Sequence, residues 1–208
     1  MIEYDDITVS FKNKLIINNF SLKINKGDKI IIHGKSGSGK TTLINLLLGF
    51  VKPDTGKILF NKISIQDTTL SHIRNVTAYV PQDFNFWQIK VKDIINEIFS
   101  YKINKNNHPN DDEIISILHV FELNSQILEQ NFALLSGGEK QRVLISIAIL
   151  LKRNLYILDE PCSALDYQLK EKVMNYFINN DTTAIIISHD KEWLISKSIK
   201  AINMEDVT

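Results

Sequence analysis

The run GKSGSGKT, residues 34–41, separates the apolar pentapeptide KIIIH from the helix-forming stretch TTLINLLL. Three glycines in so short a space let the backbone turn its N–H groups inward around an anion, with no Cβ in the way. A helix that starts immediately afterwards adds the partial positive charge of its N-terminus. The run matches G-x-x-x-x-G-K-[ST] at every fixed position, so phosphate contacts are expected from Gly34, Lys35, Ser36, Gly37, Ser38, Gly39, Lys40, Thr41 and Thr42. Lys40 is expected to reach the β- and γ-phosphates and Thr41 Oγ to ligate Mg²⁺. A glycine-rich turn that merely joins a strand to a helix is the bland alternative. The apolar strand before the run, and the helix over about 40–48 that closes at Gly49, favour the phosphate site. Such a loop restricts the fold to α/β designs and implies a nucleoside triphosphate.

The other strands and helices follow this lead. Residues 4–11 alternate in polarity, KLIINNFSLKI follows, and NKGD reads as a turn before KIIIH. KILF-NK-ISI reads as a hairpin, followed by a short helix and the strand VTAYV. From about residue 83 to 134 the character changes to amphipathic helices, VKDIINEIFSY and DDEIISILHVF, joined by the polar KINKNNHPN. A long helix from Gly137, the buried strand NLYILDE, a helix from about Asp166 and the strand TTAIIISHD complete the pattern. Strands that alternate with helices predict a largely parallel sheet. With 208 residues, one domain carrying a helical subdomain at approximately 83–150 is the simplest organisation.

Composition excludes several classes. Lys+Arg and Asp+Glu are equal at 24 each, so no global positive field recruits nucleic acid or anionic lipid. A single cysteine, Cys162, excludes an internal disulfide framework and fits a reducing compartment. The N-terminal MIEYDDITVSF is acidic where a secretory signal is basic, and VLISIAILL, the longest apolar run, is too short to span a bilayer. A cytoplasmic location is expected.

Two further clusters carry chemistry. LYILDE ends an apolar strand with Asp159 and Glu160, at the sheet edge where open α/β sheets bind ligands. Asp159 is expected to hold Mg²⁺ through water, and Glu160 to polarise the attacking water as general base. LLSGGEKQR, residues 134–142, makes a second anion site in which Ser136, Gly137 and Gly138 crown a helix N-terminus. Two phosphate-binding helix ends in one chain suggest a head-to-tail dimer, each triphosphate held between one copy's Lys40 loop and the other's Ser136 loop.

With these motifs in this order the sequence resembles, over essentially its whole length, the nucleotide-binding domain of ABC transporters. The resemblance implies a P-loop NTPase core with an N-terminal antiparallel β subdomain and an α-helical insertion, and an ATPase that uses ATP and Mg²⁺. It implies a paired ATPase subunit or homodimer on the cytoplasmic face of the membrane, driving a multi-span permease on another polypeptide. By the same resemblance, Phe11 stacks on adenine, where a tyrosine is usual. Gln82 in YVPQDF contacts Mg²⁺ or water and senses the membrane partner. Glu139 belongs to the signature run. SALD, ending at Asp166, crosses to the opposite subunit, and His189 in IIISHD contacts the γ-phosphate. The other histidines, 33, 72, 108 and 119, are expected to be structural or solvated.

Departures from the family pattern are Cys162 before SALD, Ser146-Ile147-Ala148 in the signature helix, and Arg153 where a proline is usual. None touches an expected ATP contact. Cys162 is expected to be a small buried residue. Phe84, Phe86 and Trp87 form an aromatic cluster that either docks the membrane partner or packs the helical insertion against the core. The signature context and the SHDKEW ending resemble small stand-alone ATPase subunits, including some assigned to metal or drug export. The alternative of another class is an ABC-type ATPase acting on nucleic acid or ribosomes. It is disfavoured by neutral charge and by the lack of a long heptad-rich insertion or a second nucleotide domain. A module that binds ATP without cleaving it is disfavoured by the presence of both Glu160 and His189.

Overall fold

Alternating polarity draws residues 2–11, 14–24 and 55–64 into one sheet of antiparallel strands. The computed structural model describes residues 1–12, 14–65, 70–82, 88–190, 192–195 and 198–206. Within it, β1 (Ile2–Phe11) pairs antiparallel with β2 (Lys14–Ile24) on one side and with β4 (Thr55–Phe60) on the other. β4 turns into the short β5 (Ile63–Ser64) through Asn61 and Lys62, both at positive φ (50° and 67°), as a two-residue hairpin of matching twist requires. The sheet order is β2-β1-β4-β5.

The second sheet is wholly parallel, in the order β6-β7-β8-β3-β9, from β3 (Lys29–His33), β6 (Thr77–Val80), β7 (Leu155–Asp159), β8 (Thr183–Ile187) and β9 (Ile199–Asn203). Its central strands are apolar on both faces because both faces are covered. Ile30, Ile32, Leu155, Ile157, Ile185 and Ile187 pack with the antiparallel sheet and with α1 (Lys40–Leu47). The intervening Ile31, Tyr156, Leu158, Ala184 and Ile186 pack towards the helical side. The period of two thus divides one sheet between two cores.

The expected helices form. α2 (Leu70–Val76) precedes β6, while α3 (Val91–Ser100) and α4 (Asp111–Val120) make up the insertion. α5 (Gly137–Leu150) is buried almost all round from Val143 to Leu150, the pattern of a helix enclosed by its neighbours. α6 (Tyr167–Ile178) and the single turn α7 (Glu192–Ile195) follow. The sequence pattern missed β9, whose IKAIN is short, partly exposed and only weakly apolar. Its place is set by pairing with β3, from Lys29↔Ile199 to His33↔Asn203.

The departures fit locally. Cys162 and Ile147 are buried, and the Ser146 hydroxyl donates to the Arg142 carbonyl at 2.8 Å. Arg153 donates to Asn104, which in turn donates to the Ile98 carbonyl, so the residue in place of proline ties the insertion's loop to the start of β7. His72 packs its ring at a tilt against Phe60, and His108 against Phe99. Phe84, Phe86 and Trp87 lie outside the described residues. No described helix is long and apolar enough to cross a membrane.

Candidate functional site

The loop between β3 and α1 lies at the C-terminal edge of the parallel sheet. Gly39 caps α1 in the left-handed region (φ 91°), and its carbonyl accepts from the Leu43 N–H at 3.0 Å. Gly37 is also left-handed (φ 79°), with open space where a Cβ would stand. The buried Lys40 ammonium donates to the carbonyls of Gly34 (2.7 Å) and Lys35 (2.9 Å), so it braces the loop from within. On the outside, the Glu205 carboxylate accepts from the Lys35 N–H at 3.1 Å and pairs with its ammonium at 3.2 Å. No local pattern marks this contact, since it depends on β9 returning the chain to β3.

A cleft of about 690 Å³ opens over the loop. Ser36, Gly37, Gly39, Lys40, Thr41 and Thr42 form its floor, and Phe11 with Ile16 supplies an apolar wall from the β1–β2 hairpin. Gln82, which follows β6, Asp159 and Glu160 at the end of β7, and His189 and Asp190 beyond β8 close the rest. Every catalytic and metal-binding candidate named from the sequence therefore reaches one cleft, although these residues lie far apart in the chain. Ser163 and Asp190 line it too and were not anticipated. Asp190 pairs with Lys170 of α6.

Asp159 is buried at the end of its strand. Glu160 continues at φ 49°, a left-handed value that costs a non-glycine residue energy, and its N–H donates to the Ile187 carbonyl at 2.9 Å. Its carboxylate lies 3.3 Å from His189 Nε2 and accepts from the His189 N–H at 3.4 Å. Burial raises the Glu160 pKa above the ordinary carboxylate value, and His189 partly opposes the shift. A half-desolvated carboxylate that holds an imidazole beside a phosphate-binding loop can accept a proton from water. The donor oxygens of Thr41, Gln82 and Asp159 share this cleft, an all-oxygen set suited to Mg²⁺.

Ser136, Gly137, Gly138, Glu139 and Asp166 do not line the cleft. Ser136 caps α5 in a full capping box. Its hydroxyl accepts from the Glu139 N–H at 3.3 Å, and the Glu139 carboxylate accepts from the Ser136 N–H at 2.9 Å and its hydroxyl at 2.7 Å. These bonds hold the Glu139 carboxyl below its usual pKa. Asp166 caps α6 by accepting from the Leu169 N–H at 2.9 Å. Arg142 reaches from α5 to the carbonyls of Phe121 (3.0 Å) and Glu122 (3.1 Å) at the end of α4, and so ties the insertion to the signature helix.

Fold and cleft together define a phosphate-loop nucleotide-binding protein with a second capped helix end outside its own cleft. Residues 17–163 match the family model described as ABC transporter. Over 208 aligned residues the chain is 39% identical to an export ATP-binding/permease protein (a provisional designation) of Rickettsia felis, covering 88% of this chain and 34% of that protein. It is 32% identical to a zinc import ATP-binding protein of Rickettsia bellii, covering 97% of this chain and 82% of that one. A dimeric ATP-binding cassette solved in a post-hydrolysis state with ADP and phosphate superposes with a TM-score of 0.76 at 25% identity, covering 93% of this chain and 90% of that one. The chain belongs to the ABC transporter family. It spans about a third of the length of the export-type relatives.

Proposed function

We propose that the chain is the ATP-binding and ATP-hydrolysing subunit of an ABC transporter, and that it works from the cytoplasmic face of the membrane. The observation that carries this reading is the Glu160–His189 pair in the same cleft as the Lys40 loop. Phe11 stacks on the adenine, and residues 34–42 hold the phosphates. Thr41, Gln82 and Asp159 would hold Mg²⁺, which would supply positive charge against the phosphates when bound. Glu160 takes the proton of the attacking water, and His189 both orients that carboxylate and contacts the γ-phosphate. The cleft lacks the Ser136 end of its own chain, which supports a head-to-tail pair in which Ser136, Gly137, Gly138, Glu139 and Asp166 of a second cassette close it.

Residues 1–208 act in this reading as one nucleotide-binding domain, with the helical subdomain at about 83–150. The pairing of β9 with β3 supports that unity. The motor drives a multi-span permease, which we place on a separate polypeptide by likeness to a relative named as a zinc import ATP-binding protein, whereas the export-type relatives are named as ATP-binding/permease proteins. Equal numbers of acidic and basic residues argue against nucleic acid as its partner.

Affinity purification of tagged Glu160→Gln protein from detergent-solubilised native cells in MgATP tests this reading. A multi-span membrane protein in near-equal amount is the expected companion. Ribosomal proteins or nucleic acid without a membrane protein would overturn the transporter assignment.

A further inference from the structure

The carboxamide of Gln141 is buried at 7% exposure in the first turns of α5, one turn beyond the signature glycines. Its Nε2 donates to the Glu160 carbonyl at 3.2 Å and to Ser163 Oγ at 2.6 Å, and its Oε1 accepts from the Ala164 N–H at 3.0 Å. One side chain therefore holds the strained Glu160 backbone, a residue lining the cleft, and the following turn. Independent contacts press the same elements together: a Cβ on Gly138 would lie 2.9 Å from the Ala164 carbonyl oxygen, and one on Gly137 3.4 Å from Ala164 Cβ. The bracing of the Lys40 loop runs elsewhere among the described residues, to Gly34, Lys35 and Glu205.

We propose that Gln141 is the positioning residue that makes the signature end of α5 and the Glu160 turn a single mechanical unit. A displacement of the α5 N-terminus is thereby transmitted to the backbone that aims the Glu160 carboxylate at water. The inference rests on the hydrolytic reading above. It adds a direction to it: engagement of Ser136 by a second cassette's nucleotide reaches the water-activating carboxylate of the same chain through this amide. An unsatisfied amide here would be costly, so the triple satisfaction makes the link stiff as well as specific.

The test compares Gln141→Met, which keeps the volume and loses all three bonds, with Gln141→Glu. Steady-state hydrolysis, ATP binding, and amide hydrogen exchange in nucleotide-free protein are measured on the full chain. In Gln141→Met, kcat falls about tenfold to a hundredfold while ATP affinity stays within about twofold, because a small misplacement of a catalytic group affects chemistry more than binding. Exchange at Ala164 accelerates in the same variant. In Gln141→Glu, the buried carboxylate becomes a donor again when protonated. Its activity relative to wild type therefore rises as pH falls, a dependence that a purely structural role would not produce.

Unchanged kcat with unchanged Ala164 exchange would overturn the proposal. So would parallel losses of affinity, kcat and melting temperature with a flat pH ratio. A wild-type chain that binds ATP and never hydrolyses it would defeat the hydrolytic reading instead, and the exchange data would still show whether the mechanical link exists.

Discussion

The chain builds two glycine-rich helix ends by opposite means. At the phosphate loop, Gly37 occupies a left-handed conformation (φ 79°) with nothing within 4 Å of where a Cβ would stand. At the signature, Gly138 is an ordinary helical residue, and its missing Cβ leaves room for the Ala164 carbonyl. The first site uses glycine for backbone freedom and the second for close approach. Capping differs in the same sense. The phosphate loop has no side-chain cap and is braced by a buried ammonium, whereas the signature end carries a complete capping box. The first is thus poised around an anion that must enter; the second is self-satisfied and pressed onto the loop that carries Glu160.

The comparison can be broken from either side. Lys40→Ala removes the internal brace and the main cation of the cleft, and is expected to lower kcat/KM for ATP by about a hundredfold or more. Retained hydrolysis would show that the loop is not the phosphate site. Gly138→Ala forces the Ala164 carbonyl to move and should lower kcat about tenfold with ATP affinity retained. Gly137→Ala meets only ordinary contact at 3.4 Å and should stay within about twofold of wild type, so equal effects of the two would remove close approach as the reason for the pair. In nucleotide-free protein, Gly37→Ala should act through conformation alone, costing about 1 kcal/mol and lowering the melting temperature by about 3 °C.

The smallest effect concerns pH. Because burial raises the folded-state pKa of Glu160, folding is favoured by its protonated form. That contribution is fully present below the unfolded pKa and is lost as pH rises through the folded one. Glu160→Gln removes this loss, so its advantage in melting temperature over wild type should widen from pH 4 to pH 8. The acid limb of kcat/KM should lie above the ordinary carboxylate range, and His189→Ala should move it higher still, because the imidazole opposes the rise.

Much of this was legible because its signals are local. KIIIH, the glycine run and the helix after it declare the phosphate loop in a single stretch, and S-G-G-E contains its own capping box. Asp159 ends an apolar strand and Gln82 and His189 each follow one by two residues, so the parallel sheet that aligns strand ends also gathers them. What stayed hidden depends on chain return. β9 is a weak strand by composition and owes its place to β3, so neither it nor the Glu205–Lys35 contact could be inferred from its own residues. Asp166 also caps α6 within the chain, a role that the residue before any helix can take and that is compatible with its expected place at a subunit crossing. Gln141 lay inside the quoted signature run, but its partners Glu160, Ser163 and Ala164 are a loop that only the fold brings beneath it.

Whether the two helix ends form one site is tested most directly by mixing two variants, each impaired at one helix end. Lys40→Ala protein retains a sound signature end, and Ser136→Asp protein, which keeps a capping side chain on α5 but sets a negative charge against incoming phosphates, retains a sound phosphate loop and Glu160 turn. Mixed in equal amounts with MgATP, they should recover ATP hydrolysis well above the sum of their separate rates, because a mixed pair contains one complete cleft. Rates that stay additive at every ratio and concentration would contradict the composite site and leave each chain with two anion-binding ends that never meet across copies.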